Sequence, residues 1–228
     1  MRKIVTGAFI SLDGVMQAPG GPEEDPTGGF RHGGWVPPYW DDTTGEVIGR
    51  LFSQPFDLLL GRRTYDIFAA HWPYVQMDPE AGDFEALNAG IAENFNRVTK
   101  YVATHRPDSL DWENSEALGA DIPGRVRDLK QGDGRMLLTQ GSTELLQILL
   151  RHDLIDELHL HVFPLLLGKG KRLFGDGAVP AALKLTSSHV SPSGVFSASY
   201  VRSGDVVSGS FAMDTPTEAE LERRRTLT

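Results

Sequence analysis

Three short runs in this 228-residue chain carry residue types suited to holding phosphate: Gly61-Arg62-Arg63-Thr64, Thr104-His105-Arg106 and Gly141-Ser142-Thr143. Glycine lets a backbone approach a ligand closely, and hydroxyl and guanidinium groups supply directed donors. The start of a helix adds unpaired N–H groups and a partial positive charge worth about 0.3–1 kcal/mol to an anion. Each run also has a plain structural use. Thr64 and Thr143 serve as helix caps, Gly141 as a tight turn, and Arg62, Arg63 and Arg106 as solvated surface charge. Taken together they say more, because each lies at the end of an expected strand. Ligands of parallel sheets gather at the carboxyl ends of strands, so three adjacent anion sites would suit a dinucleotide.

The elements that must position these runs follow from patterning. Residues 3–10 (KIVTGAFI) form a β-branched, apolar strand, ended by the turn chemistry of Ser-Leu-Asp-Gly at 11–14. Glycine and proline dominate residues 17–38, which are too long for a simple connector and are expected to close over something. Asp41, Asp42 and Thr43 offer caps to a helix carrying Val47, Ile48, Leu51 and Phe52, which Pro55 stops. Further strands are expected at 56–60, 98–103, 135–139 and 156–162, with helices from Thr64 and over 84–95, 123–131 and 143–151 between them. Late strands near 182–190, 194–202 and 205–213 are joined by Ser/Pro/Gly turns. Alternating strands and helices imply parallel pairing, and consecutive late strands imply hairpins. The expected α/β fold is therefore a mixed, mostly parallel sheet with antiparallel C-terminal strands and helices on both faces. One domain spans 1–228, with residues 203–228 as a charged extension.

Composition removes several classes. A net charge of −9 and a pI near 5.2 argue against a broad grip on nucleic acid or anionic lipid. No stretch approaches the roughly 18 apolar residues of a membrane span, and no signal-peptide pattern opens the chain, which points to the cytoplasm. The absence of cysteine excludes thiol nucleophiles, disulfides and cysteine-ligated zinc. His159 and His161 would point the same way from a strand but have no third ligand nearby, so no metal is expected. Gly168-Lys169-Gly170-Lys171 lacks P-loop spacing, and no G-x-S-x-G occurs.

The motifs SLDG (11–14), LLLGRRTY (58–65) and LIDELHLHVFPLLLGKGKRLF (154–174), in that order, resemble the dihydrofolate-reductase-like family. That family includes the C-terminal reductase domain of the bifunctional riboflavin-biosynthesis deaminase-reductase. The resemblance runs over about residues 2–202, and GGWVPPYWDD (33–42) and FAAHWP (68–73) are similar to its stand-alone bacterial members. It implies a three-layer fold, a homodimer, and NADPH held by Gly61, Arg62, Arg63 and Thr64. Thr104, His105 and Arg106 would flank the 2′-phosphate, Gln140, Gly141, Ser142 and Thr143 would lie at the pyrophosphate, and Ala8 and Phe9 would meet the nicotinamide carboxamide beside a loop containing Leu12, Asp13, Gly14 and Met16. Gln140 stands where the family commonly has glycine, which bears on how closely backbone and pyrophosphate approach.

The same resemblance implies hydride transfer to a pterin-, pyrimidine- or related heterocycle, as in dihydrofolate reductase or 5-amino-6-(5-phosphoribosylamino)uracil reductase. The substrate would sit between the 14–40 loop and the 163–170 segment, with Phe30 and Trp35 stacking on it and Pro164, Leu167 and Gly168 beside it. Reduction also needs a proton from a positioned acid or ordered water. Asp13, Asp42 and Glu46 are the candidates, and Asp42 serves equally as a helix cap. The alternative is a non-catalytic nucleotide-binding or regulatory protein on the same fold. The deaminase partner's zinc site needs cysteines that this chain does not have.

Overall fold

The computed structural model describes residues 1–175, 179–212 and 215–227. Its strands are β1 (Ile4–Ser11), β2 (Phe56–Gly61), β3 (Lys100–Ala103), β4 (Ser115–Ala117), β5 (Met136–Gln140), β6 (Glu157–Phe163), β7 (Leu183–Val190) and β8 (Phe196–Arg202). They form one sheet in the order β4-β3-β2-β5-β1-β6-β8-β7. Neighbours from β4 through β6 are parallel, whereas β8 runs antiparallel to β6 and β7 antiparallel to β8. The mixed architecture expected from the alternation of elements is the one observed.

The helices are α1 (Asp42–Phe52), α2 (Arg62–Ala69), α3 (Ala86–Arg97), α4 (Ile122–Gln131), α5 (Thr143–Arg151) and α6 (Glu218–Arg225). The apolar run of β2 is buried on both sides, as a central parallel strand requires. Leu58 and Leu60 pack with Leu51 of α1, Tyr65 of α2 and Phe95 of α3. Leu59 faces the opposite layer, where Val126 and Leu129 of α4 meet Leu145, Leu146 and Leu149 of α5. Period-two alternation thus sends neighbouring leucines into two separate cores, and both faces acquire helices. No helix among the described residues is long and apolar enough to cross a membrane.

The long loop has a core of its own. Phe30, Trp35, Val15 and Val36 bury against Phe163 and Val195, with Trp35 edge-on to Phe163 at 5.4 Å. Gln17 organises it: its amide nitrogen donates to the carbonyls of Asp25 and Thr27, both at 2.9 Å, and its backbone carbonyl accepts Trp35 Nε1 at 2.8 Å.

Three expectations need correction. The helix placed from Thr64 begins at Arg62, so both arginines belong to its first turn. The short edge strand β4 was not anticipated, since three half-exposed residues carry no periodic signal. The strand expected over 205–213 is not formed across residues 205–212, where Val207 and Phe211 are exposed; residue 213 lies outside the described residues. The β8 strand is already flanked by β6 and β7, so the segment that follows it cannot pair with β8 as the next hairpin strand. The C-terminal helix forms on the surface, capped by Thr217.

Candidate functional site

Because β3, β2 and β5 are consecutive in the sheet, the three phosphate-suited runs emerge side by side. Gly61 ends β2 and precedes α2, and its N–H donates to the hydroxyl of Ser142 at 2.7 Å. A side chain at Gly61 would place Cβ 3.0 Å from Ser142 Cβ, so glycine is what permits the two turns to touch. Gly141 (φ +74°) and Ser142 (φ +68°) are consecutive left-handed residues, and Gly141 faces Thr64, whose Oγ1 lies 3.7 Å from the site a Cβ would occupy. For serine that conformation costs about 1–2 kcal/mol. Ser142 spends its hydroxyl on Gly61 rather than on its own helix, so neither α2 nor α5 has a side-chain cap. By contrast, Asp41 closes α1 and Asp121 closes α4. Two open helix starts therefore meet at one place, each presenting unpaired N–H groups.

The third run packs against the first. Arg62 Nη1 donates to the carbonyl of Arg106 at 3.2 Å and to the Ser109 hydroxyl at 2.7 Å, while Arg62 Nε and Arg106 Nη2 both reach Asp66. Thr104 is buried, its hydroxyl accepting the N–H of Arg106 at 3.0 Å. His105 is exposed. Arg63 turns the other way, toward the long loop, where Nη1 bonds Asp25 at 2.8 Å and Thr27 Oγ1 at 2.9 Å. Lys171 Nζ reaches the same Asp25 at 2.5 Å. Burial pushes the Asp25 carboxyl up, but the Lys171 ammonium and the Thr27 hydroxyl outweigh it and hold it down at about 2. The arrangement gathers four cations, Arg62, Arg63, Arg106 and Lys171, around two carboxylates, and so keeps a net positive charge on an acidic protein.

At the end of β1, Ala8 is buried, and the half-buried Phe9 ring lies edge-on to Trp40 at 6.2 Å and tilted against His161 at 5.6 Å. His161 is buried with Nδ1 on Ser197 Oγ at 2.8 Å, and burial, helped by neighbouring His159, pushes it down to about 4. It is neutral at ordinary pH. Gln140, paired in register with Gly7, lays its amide over that glycine: a Cβ on Gly7 would stand 2.8 Å from Gln140 Nε2 and 3.2 Å from Leu51. The Gln140 side chain therefore covers the floor beside Phe9.

Several sequence expectations change here. Asp13 is a clasp: it accepts Ser11 Oγ (2.6 Å) and the N–H groups of Leu167 (3.1 Å) and Gly168 (2.7 Å). The Ser11 hydroxyl, with those amides and against burial, holds its carboxyl at about 2, so it is ionised and its lone pairs are spoken for. Leu167 and Gly168 serve that clasp, and Gly14, Met16 and Lys171 join the same seam through Leu173 N–H to Gly14 O (3.0 Å) and Met16 N–H to Lys171 O (2.9 Å). The two segments expected to flank a substrate are thus bonded to each other. Phe30 and Trp35, each 6% exposed, fill the loop's own core and have no free face for stacking; Trp40 does. Pro164 is exposed. The helix cap is Asp41, not Asp42: it accepts Thr44 N–H at 2.8 Å and Ser193 N–H at 2.9 Å, and the Thr44 amide first, against desolvation, lowers its carboxyl. Asp42 is an exposed first-turn residue.

Asp66, Ser109 and Asp25 belong to no motif that the sequence analysis singles out, and of these only Asp66 leaves a signal, its i,i+4 spacing from Arg62.

A family model described as the RibD C-terminal domain matches residues 2–197. The protein YwjB of Bacillus subtilis (strain 168) is 32% identical over 190 residues, covering 81% of this chain and 89% of its own. A putative riboflavin biosynthesis protein from Shewanella sp. PV-4 superposes with a TM-score of 0.55 at 19% identity, over 88% of this chain and 99% of its own. Dihydrofolate reductase from Enterococcus faecalis, in complex with NADP(H), superposes with a TM-score of 0.53 at 12% identity, over 88% of this chain and 96% of its own. These structural likenesses establish the fold as dihydrofolate-reductase-like.

Proposed function

Since the chain belongs to the RibD C-terminal domain family, we propose that it is an NADPH-dependent reductase of a small heterocycle of the pterin or pyrimidine kind. One observation carries the reading: two uncapped helix starts meet where Gly61 N–H donates to Ser142, with the Arg106 turn alongside. The close approach at Gly61 leaves little room for a side chain, and the left-handed backbone of Gly141 disfavours one, which suits a backbone cradle. The N–H groups opening α2 and α5 would hold the diphosphate, with Thr64, Thr143 and Arg63 around it and Thr104, His105 and Arg106 at the adenosine end. NADPH bound there supplies a hydride to a C=N or C=C–C=O system.

The rest falls to this chain's residues. Phe9 and Trp40 offer a flat apolar corner for a planar ring, and Gln140 supplies an amide at its edge. Asp13 is ionised and engaged, which leaves Asp42 and Glu46, both exposed on α1, to relay a proton through water.

The test uses the chain's own tryptophans. Their fluorescence should quench on addition of NADPH, and a heterocycle panel should then produce substrate-dependent loss of the nicotinamide absorbance. Absence of NADPH affinity would overturn the proposal. Binding without turnover would favour a second reading, a nucleotide-binding protein without catalysis, for which the cover that Gln140 places over Gly7 is the supporting observation.

A further inference from the structure

His159 and His161 leave β6 on the same face, and what their ring nitrogens bond to sets them apart. Each stands opposite a serine of β8, His159 against Ser199 and His161 against Ser197. His159 has both nitrogens engaged, Nδ1 with Ser199 Oγ at 3.0 Å and Nε2 with Glu157 at 3.4 Å. His161 has one. Its Nδ1 meets Ser197 Oγ at 2.8 Å, and its Nε2 has no hydrogen-bond partner among the described residues, although the residue is only 5% exposed. The polar side-chain atoms sealed from solvent without a partner are the hydroxyls of Thr6 and Thr44, so that small exposed fraction includes Nε2.

The tautomer follows from Ser197. That hydroxyl is buried, and His161 is its one hydrogen-bond partner among the described residues. A buried O–H with no acceptor costs more than an idle lone pair, so Ser197 donates, Nδ1 accepts, and the hydrogen of the ring sits on Nε2. Burial keeps the ring neutral. Because Nδ1 turns toward β8, the Cδ2–Nε2 edge turns toward β1, where Phe9 pairs with His161 in register and its ring lies 5.6 Å away. Phe9 in turn holds Trp40 edge-on at 6.2 Å. Resting on the heterocycle reading above, we infer that His161 is a specificity-determining residue: its Nε2–H is a fixed donor at the Phe9–Trp40 corner and selects rings whose edge presents an acceptor, a lactam carbonyl, over rings that present an amino group there. Nε2 cannot become an acceptor without stranding the Ser197 hydrogen, and an N–H set against a ligand N–H leaves two donors unpaired.

The experiment titrates the NADP⁺-loaded full chain, by calorimetry at pH 8.5, with 2-amino-6-methylpyrimidin-4-one and with 2,4-diamino-6-methylpyrimidine, in which an amine replaces the ring carbonyl. Both are largely uncharged at that pH. The pyrimidinone should bind about tenfold or more tightly, the worth of one buried hydrogen bond made rather than refused. His161→Phe keeps a flat ring without the donor and should abolish the preference by weakening the pyrimidinone. Ser197→Ala frees Nδ1 to take the hydrogen and should reduce the preference while leaving the ring in place. NMR of the ring nitrogens in the ligand-free chain should find the His161 hydrogen on Nε2, and partly on Nδ1 in Ser197→Ala. A hydrogen on Nδ1 in the unaltered chain, equal affinity for the two pyrimidines, binding of neither, or a preference that survives in His161→Phe would overturn the inference and leave the cofactor reading standing. An unaltered chain that takes up no NADP⁺ refutes the proposed function and this inference with it. If His161→Phe does not fold, Ser197→Ala and the NMR measurement decide.

Discussion

Replacing Asp25 by asparagine tests whether the long loop is held shut by charge. The carboxylate is 8% exposed, and Lys171, Arg63 and two groups of Thr27 converge on it. Its carboxyl lies at about 2 against an ordinary 3.8, a difference equivalent to about 2 kcal/mol of stability at neutral pH. Arg63 is 55% exposed and adds little beyond screening, so most of the effect comes from Lys171, which is 34% exposed and would lose its only carboxylate partner among the described residues. The substituted amide keeps the shape of the carboxylate but not its charge. Unfolding in urea at pH 7 should therefore show a loss of about 2 kcal/mol, or about 4–8 °C in melting temperature for a chain of this size. The pH dependence has a definite sign. A carboxyl depressed in the folded state stabilises fully above its unfolded value near 3.9, and that contribution disappears as pH falls through the folded value. The gap between the unaltered chain and Asp25→Asn should stay constant from pH 8 to pH 5 and shrink by about two thirds by pH 2.5. A gap equal at pH 2.5 and pH 7, or none at pH 7, refutes the clasp.

Two further substitutions probe the site's backbone. Ser142→Ala and Ser142→Gly both remove the acceptor for Gly61 N–H, but glycine relieves the left-handed strain, so Ser142→Gly should be about 1 kcal/mol more stable than Ser142→Ala in urea; equal midpoints would deny that strain. Gly7→Ala should cost about 1–3 kcal/mol by crowding Gln140 and Leu51, and less in a Gln140→Gly background, as read from a double-mutant cycle of denaturation midpoints.

The sequence alone determined the alternation of strands and helices, hence a mostly parallel sheet, and it located the three runs at 61–64, 104–106 and 141–143 because strand ends and turn residues are local signals. It could not assign partners. Whether Arg62 or Arg106 is free depends on Ser109 and on a carbonyl 44 positions away. Whether Asp13 donates a proton or clasps a loop depends on amides at Leu167 and Gly168, 154 and 155 positions downstream. Trp35 and Trp40 look alike in the sequence, yet one packs into the loop's core and the other stays open. Those assignments belong to tertiary structure, because hydrogen-bond saturation and burial arise only when distant segments meet. Patterning decides which face a residue takes, and packing decides what remains available for chemistry there.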